Sequence, residues 1–286
     1  MKSIFIASFS VLAFAASTSV LAQQVPNTFQ AGQPARAAEV NANFAALGAA
    51  IAGAGPTVDS NNCGNLPSHS ALKTALDDAV SVEVSGLDFD MWATIVDRDG
   101  VVCAVAFSGA DRGAQWPGSR VISAQKANTA NAFSLDGLAL STANLFTAVQ
   151  PGNSLFGLQE SNPVDVRVAY AGPSANYGTA SDPMVGRKIG GVNVFGGGLG
   201  LYSADTIVGA VGVSGDTSCA DHMIGWRVRH NLGLDGLAGV GGVSGDAARP
   251  DNIIYDIDAD GVSAGGFGHA LCLNTDEAVG SLPAVQ

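Results

Sequence analysis

Two β-rich runs, residues 91–96 and 101–107, flank Asp97-Arg98-Asp99-Gly100. Asp-Gly between such runs is a strong hairpin signal, because the tight turn needs a residue that tolerates a positive φ. An antiparallel pair this apolar must be buried, so the rest of the chain has to supply layers that cover it. The helical patterns around it meet that need. Ser68 or Ser70 can cap a helix running to Ala79, with Leu72, Leu76 and Val80 on one face. Further helices are expected over 119–133, 141–149 and 221–232, the last with its N-terminus at 218–221. Strands are expected over 190–195 and 206–213, and residues 153–188 read as an irregular insertion. Helices and strands with hairpin connections make an α+β domain on an antiparallel sheet.

The ends of the chain read differently. Lys2, an apolar run over 4–16 and the Val20-Leu21-Ala22 triplet have the form of a secretory signal peptide, residues 1–22, cut after Ala22. The apolar run is too short to span a bilayer, and no later segment is long enough. A periplasmic or secreted protein is therefore expected. Residues 23–57 form an N-terminal extension in which Val40, Phe44, Leu47 and Ile51 have the spacing of a coiled-coil seam over a helix at 38–51. That short helix outside the domain suggests a homo-oligomer; the alternative is a helix packed on its own domain. The domain proper is placed at 58–236, with an irregular C-terminal extension at 237–286.

Export gives the four cysteines a meaning. Cys63, Cys103, Cys219 and Cys272 lack zinc spacing, and an even number in an oxidising compartment suggests two disulfides with three possible connectivities. Cys219 with Cys272 is slightly favoured, since both sit in polar sequence. Cys103, in an apolar run, could equally be a buried thiol.

Composition excludes some classes. With 13 basic against 25 acidic residues the formal net charge is −12, so no basic face for nucleic acid is expected. Catalytic signatures are largely missing. Gly212-Val213-Ser214-Gly215 lacks the spacing of a nucleophile elbow, and the 196–200 glycine cluster lacks a phosphate-loop lysine. Residues 256–261 copy the start of a calcium loop, but the bidentate position holds Phe267, so an acidic turn is expected.

Positive charge is scarce, which makes its placement informative. Arg112, Arg120 and Lys126 fall within fifteen positions around Trp116. Arginines pair bidentately with carboxylates and an indole supplies a flat apolar wall, so this stretch could hold a small planar anionic ligand. The alternative pairs Lys126 with a core carboxylate such as Asp97 and leaves the arginines solvated. Among the histidines, His222, beside Asp221 at the start of the last helix, is the best placed to bind a metal or move a proton; a capping or solvated role is the alternative.

Several of these segments resemble the GlcG/HbpS-like heme-binding (heme-degrading domain) family. They are Asp97-x-x-Gly100, Ser108-Gly109-Ala110, the stretch Ser123-Ala124-Gln125-Lys126-Ala127-Asn128-Thr129-Ala130, Gly190-Gly191 and Ile207 to Gly215 with Asp221. The resemblance spans about residues 63–235. It implies a profilin-like sandwich, often oligomeric, with heme as cofactor. Lys126, Thr129 and Ser214 match motif positions of the family, with Thr129 a candidate contact to the iron. On the heme reading Arg112, Arg120 and Lys126 would neutralise propionates, Trp116 would stack, and Thr129 or His222 would approach the metal. The alternative function is an enzyme on a small aromatic or carboxylated substrate, with Lys126 or His222 as general base beside Asp97 or Asp221.

Overall fold

The structure, a computed structural model, describes residues 25–53, 62–275 and 279–286. The expected signal peptide at 1–22 and most of the linker after Gly53 lie outside these residues. The described residues fall into two compact units, divided between residues 57 and 58.

In the first unit, helix α1 spans Ala37–Gly53. Asn27 is bound to it: its backbone N–H donates to Asn43 Oδ1 at 2.9 Å, and Asn43 Nδ2 donates to Asn27 O at 2.8 Å. Phe44 is 68% exposed, and Leu47 is exposed as well.

The second unit is built on four antiparallel strands: β1 (Trp92–Asp97), β2 (Val102–Phe107), β3 (Gly198–Ser203) and β4 (Thr206–Ser214). Their spatial order is β2-β1-β4-β3, which puts β1 and β4 in the middle. Helix α2 (His69–Val82) precedes the sheet, α3 (Ser119–Phe133) follows the first hairpin, and short helices α4 (Leu158–Ser161) and α5 (Val166–Ala169) lie in the insertion. Helix α6 (Ser218–Asn231) follows β4.

Strand alternation divides the core. From β1, Ala93 and Ile95 face α2 and α6, where they join Leu72, Leu76, Val211 and Met223. Trp92 and Val96 face the other way and pack with Val121, Ala124 and Ala127 of α3. Thr94, on that same face, bonds Ser123 of α3 through their hydroxyls at 2.8 Å. Helices on both faces of an antiparallel sheet make the α+β sandwich that the resemblance implies. Gly212 sets how close α3 can come, since a Cβ there would collide with Ser123 O and Ala127 N.

Several sequence expectations are met closely. Ser68 caps α2, accepting from Ala71 N at 3.3 Å, and α3 has its expected bounds. Two need correction. Residues 190–195 form no strand, because Gly190 and Gly191 take positive φ values (62° and 81°) and kink the chain. Side chains of α3 then replace the ladder: Thr129 Oγ1 accepts from Asn193 N at 2.9 Å, and Asn128 Nδ2 donates to Gly191 O at 2.8 Å. The strand is instead β3, which begins inside the glycine cluster. Residues 141–149 form two 3₁₀ turns, Thr142–Leu145 and Thr147–Val149, in place of a helix.

The cysteines form two disulfides, Cys63–Cys103 and Cys219–Cys272. Residues 237–286 carry little regular structure yet contribute Leu237, Ile253 and Leu282 to buried clusters. Trp226 Nε1 donates to Pro283 O at 3.0 Å, and Arg229 of α6 forks onto Asp251 at 2.6 and 2.9 Å. Two of the three carboxylates in the calcium-like turn are engaged by its own backbone and Ser263. Asp256 accepts from Ser263 Oγ and Gly265 N, and Asp258 from Asp260 N and Val262 N. No helix among the described residues is long and apolar enough to cross a membrane.

Candidate functional site

The loop before α3 and the insertion at 153–188 border an open cavity of about 550 Å³ beside β1. Its walls include Trp92, Asp111, Arg112, Pro117, Tyr170 and Tyr177. The floor is fixed. Trp92 is buried, donates its indole N–H to Trp116 O at 3.1 Å, and stands edge-on to Phe107 with centroids 5.3 Å apart. Gly178 lets the insertion close against this floor: at φ +74°, a Cβ there would lie 2.7 Å from the Trp92 ring and would collide with Phe107.

Arg112 is the expected ligand residue that the structure places on this cavity. It is exposed and makes no ion pair among the described residues. Trp116 is half exposed and stacks edge-on against Phe89 at 5.2 Å; its carbonyl, rather than its ring, serves the site by holding Trp92.

The other expected residues are placed differently. Arg120 is buried and forks onto Asp182, with Nε to Oδ2 at 2.8 Å, and its Nη1 donates to Ala169 O at 2.7 Å. Its guanidinium lies 3.7 Å from the centroid of the Tyr177 ring, so it shapes the cavity wall without facing a ligand. Lys126 is wholly buried and pairs with Asp221 at 2.6 Å, in place of the Asp97 considered from the sequence. It also donates to Val213 O at 3.0 Å and lies 4.6 Å from the Phe195 ring. Burial pushes the Lys126 ammonium down, against the opposing pull of Asp221, and pushes the Asp221 carboxyl up to about 6. Both shifts favour the neutral forms.

Thr129 is buried, its hydroxyl donating to Gln125 O at 2.8 Å. Ser214 is buried at the end of β4. Asp97 closes the first hairpin, its oxygens accepting from the backbone N–H groups of Asn62, Asp99 and Val101 at 2.9–3.0 Å. His222 is buried against Asn252 Oδ1 (3.2 Å) and Ile253 N (3.1 Å), and burial lowers it to about 3. Lys126, Thr129, Ser214, Asp97 and His222 are thus internal, and none of them lines the cavity.

The sequence does not single out Trp92, Tyr170 and Tyr177, which the fold places on the cavity. The insertion that brings the two tyrosines has no periodicity, and the indication available was its richness in turn residues, which suggests a loop built for contact.

Two solved structures are similar in part. The Klebsiella pneumoniae protein ORFY, of the DUF336 family, is 22% identical, with 58% of this chain and 90% of that chain covered at a TM-score of 0.40. A structure entitled PduOC:Heme Complex is also 22% identical, with 57% and 89% covered at 0.40. No curated protein matches the chain. The family model described as "Haem degrading protein HbpS-like" matches residues 69–229, from the start of α2 to the last turn of α6. That stretch holds the whole sheet and the residues walling the cavity, and at more than half of its length the chain belongs to the HbpS-like family of haem degrading proteins.

Proposed function

We propose that this protein binds heme, or a tetrapyrrole of the same shape and charge, in the cavity between Trp92, Arg112, Tyr170 and Tyr177. The observation that carries the reading is a cavity lined by three aromatic residues and by Arg112, which makes no ion pair among the described residues although Asp111 shares the wall. Its volume is that of a small-molecule site, and aromatic walls suit a flat macrocycle. Arg112 would take a propionate through its two-pronged guanidinium. The donor chemistry fits a tetrapyrrole, with flat apolar walls, the Arg112 cation and phenol oxygens, and with Asp111 as the anionic side chain on the wall. When bound, the iron would supply the oxidative chemistry, while the residues here bind and orient the macrocycle. The disulfides and the leader-like residues 1–22 support export, and the exposed Phe44 and Leu47 of α1 support self-association through that helix.

Titration with hemin tests the reading. Saturable binding with a Soret shift is expected, and Arg112→Ala should weaken it at least ~10-fold, as for loss of a charge-assisted bond. If Arg112→Ala binds like wild type while Thr129→Ala or Lys126→Met abolishes the shift in a folded protein, the macrocycle sits elsewhere.

A further inference from the structure

The family match says nothing about which atom of this chain would hold the iron. Nitrogen and sulfur ligands lie elsewhere. His222 and His269 are buried beyond the cavity, and His230 pairs with Asp235 at 2.6 Å. His69 donates from Nε2 to Gly178 O at 2.9 Å and is not part of the wall. All four cysteines are in disulfides. The cavity wall offers oxygen: the phenols of Tyr170 and Tyr177, the Ser174 hydroxyl and the exposed Asp111 carboxylate, whose Oδ1 already accepts from Gly113 N at 2.7 Å.

The two phenols differ in how firmly they are held. Tyr170 is 62% exposed at the C-terminal end of α5. Tyr177 is half-buried, follows the 3₁₀ turn Ser174–Asn176, and has the Arg120 guanidinium 3.7 Å from its ring centroid. Asp182 fixes that guanidinium and also accepts from Gly178 N at 2.7 Å, next to Tyr177 in the chain. Arginine, aspartate and the backbone therefore orient one ring. No protein group among the described residues takes the Tyr177 hydroxyl. Tyr177 lines the cavity, and a ring held on its face by a guanidinium, with a hydroxyl that no described protein group takes, is preorganised for a ligand.

Resting on the reading above, we propose that Tyr177 is the axial iron ligand, which makes this an oxygen-ligated site selective for ferric tetrapyrroles. Phenolate is one of the established protein ligands of heme iron, and a hard anionic oxygen favours the ferric state. On binding, the phenol O–H bond breaks and the phenolate oxygen bonds the ferric iron. The proton leaves with the axial hydroxide of free hemin as water, and no electron moves.

Full-length protein loaded with hemin should show a phenolate-to-iron charge-transfer band in the visible and a high-spin ferric signal. Tyr177→Phe, matched to wild type in thermal unfolding, should lose the band and about ten-fold in hemin affinity, while binding metal-free protoporphyrin IX as wild type does. A band lost in Tyr170→Phe and kept in Tyr177→Phe would show that Tyr177 is the wrong phenol. A band that survives in Tyr177→Phe overturns the assignment. So does an equal loss of hemin and protoporphyrin affinity, which would make Tyr177 a wall and not a ligand. Failure of the underlying reading looks different: wild type would bind neither macrocycle, or Arg112→Ala would leave both affinities unchanged.

Discussion

Lys126 and Asp221 lie 95 positions apart in the chain and 2.6 Å apart in the fold. The carboxylate is served from three sides, since Asp221 Oδ1 also accepts from Gly215 N and Asp216 N at 2.9 Å. Removing one partner from such a pair strands a buried charge, so Lys126→Met should cost about 3–5 kcal/mol in chemical denaturation at pH 8. The double variant Lys126→Met/Asp221→Leu should recover most of that loss. Because the Asp221 carboxyl already stands near 6, the single variant should lose less at pH 5, where the stranded group takes up a proton. An equal loss at both pH values would show that the charge is not what matters. The sequence made Lys126 stand out correctly as unusual, but its rarity reflected a structural pair. Rarity marks a residue as consequential and cannot tell ligand binding from internal charge compensation; that depends on burial, which follows from elements far away in the chain. Arg112 and Arg120 show the same limit, eight positions apart, one facing the cavity and one behind its wall.

Elements with a strong local period were readable: the first hairpin, α2, α3 and β4. Strand β3 was not, because Gly198 and Gly200 remove the apolar alternation that identifies a strand. At Gly198 the reason is contact, since a Cβ there would meet Lys126 O and Thr142 Cγ2. The tail was equally opaque, since its buried Leu237, Ile253 and Leu282 follow no period. Its attachment to α6 does make a testable claim. Cys219–Cys272 closes a loop of 53 residues, for which chain entropy gives about 4 kcal/mol. Cys219→Ser/Cys272→Ser should lose about 2–4 kcal/mol, and amide exchange should rise in residues 250–275 more than in the sheet. Uniform exchange across both regions would mean that the bridge does not fasten the tail specifically.

For the whole molecule, acid should be the weak direction. Burial lowers His222 to about 3 and His269 to about 4, so the unfolded chain binds more protons than the folded one below pH ~6.5. Each histidine then removes up to about 1.4 kcal/mol per pH unit as the pH falls, until it titrates in the folded state. Asp221 acts oppositely: raised to about 6, it favours the folded state in acid and loses that contribution as pH rises through its own value. With two histidines against one carboxyl, urea midpoints should decline from pH 6.5 to 4, and His222→Gln/His269→Gln should flatten the decline. A slope unchanged in that variant would place the acid sensitivity elsewhere. The order of the sheet also has a consequence for how the protein is made. Central strand β1 meets β2 almost at once, but β4 begins more than a hundred residues later. At about 5–20 residues per second of synthesis, one edge of a wholly buried strand waits roughly 5–20 s for its partner. Cys63 and Cys103 both belong to the early segment and can be joined before β4 exists, whereas Cys219 and Cys272 cannot. Under oxidising conditions the first bridge can therefore hold the segment before α2 on β2 without any contribution from the other side of the sheet.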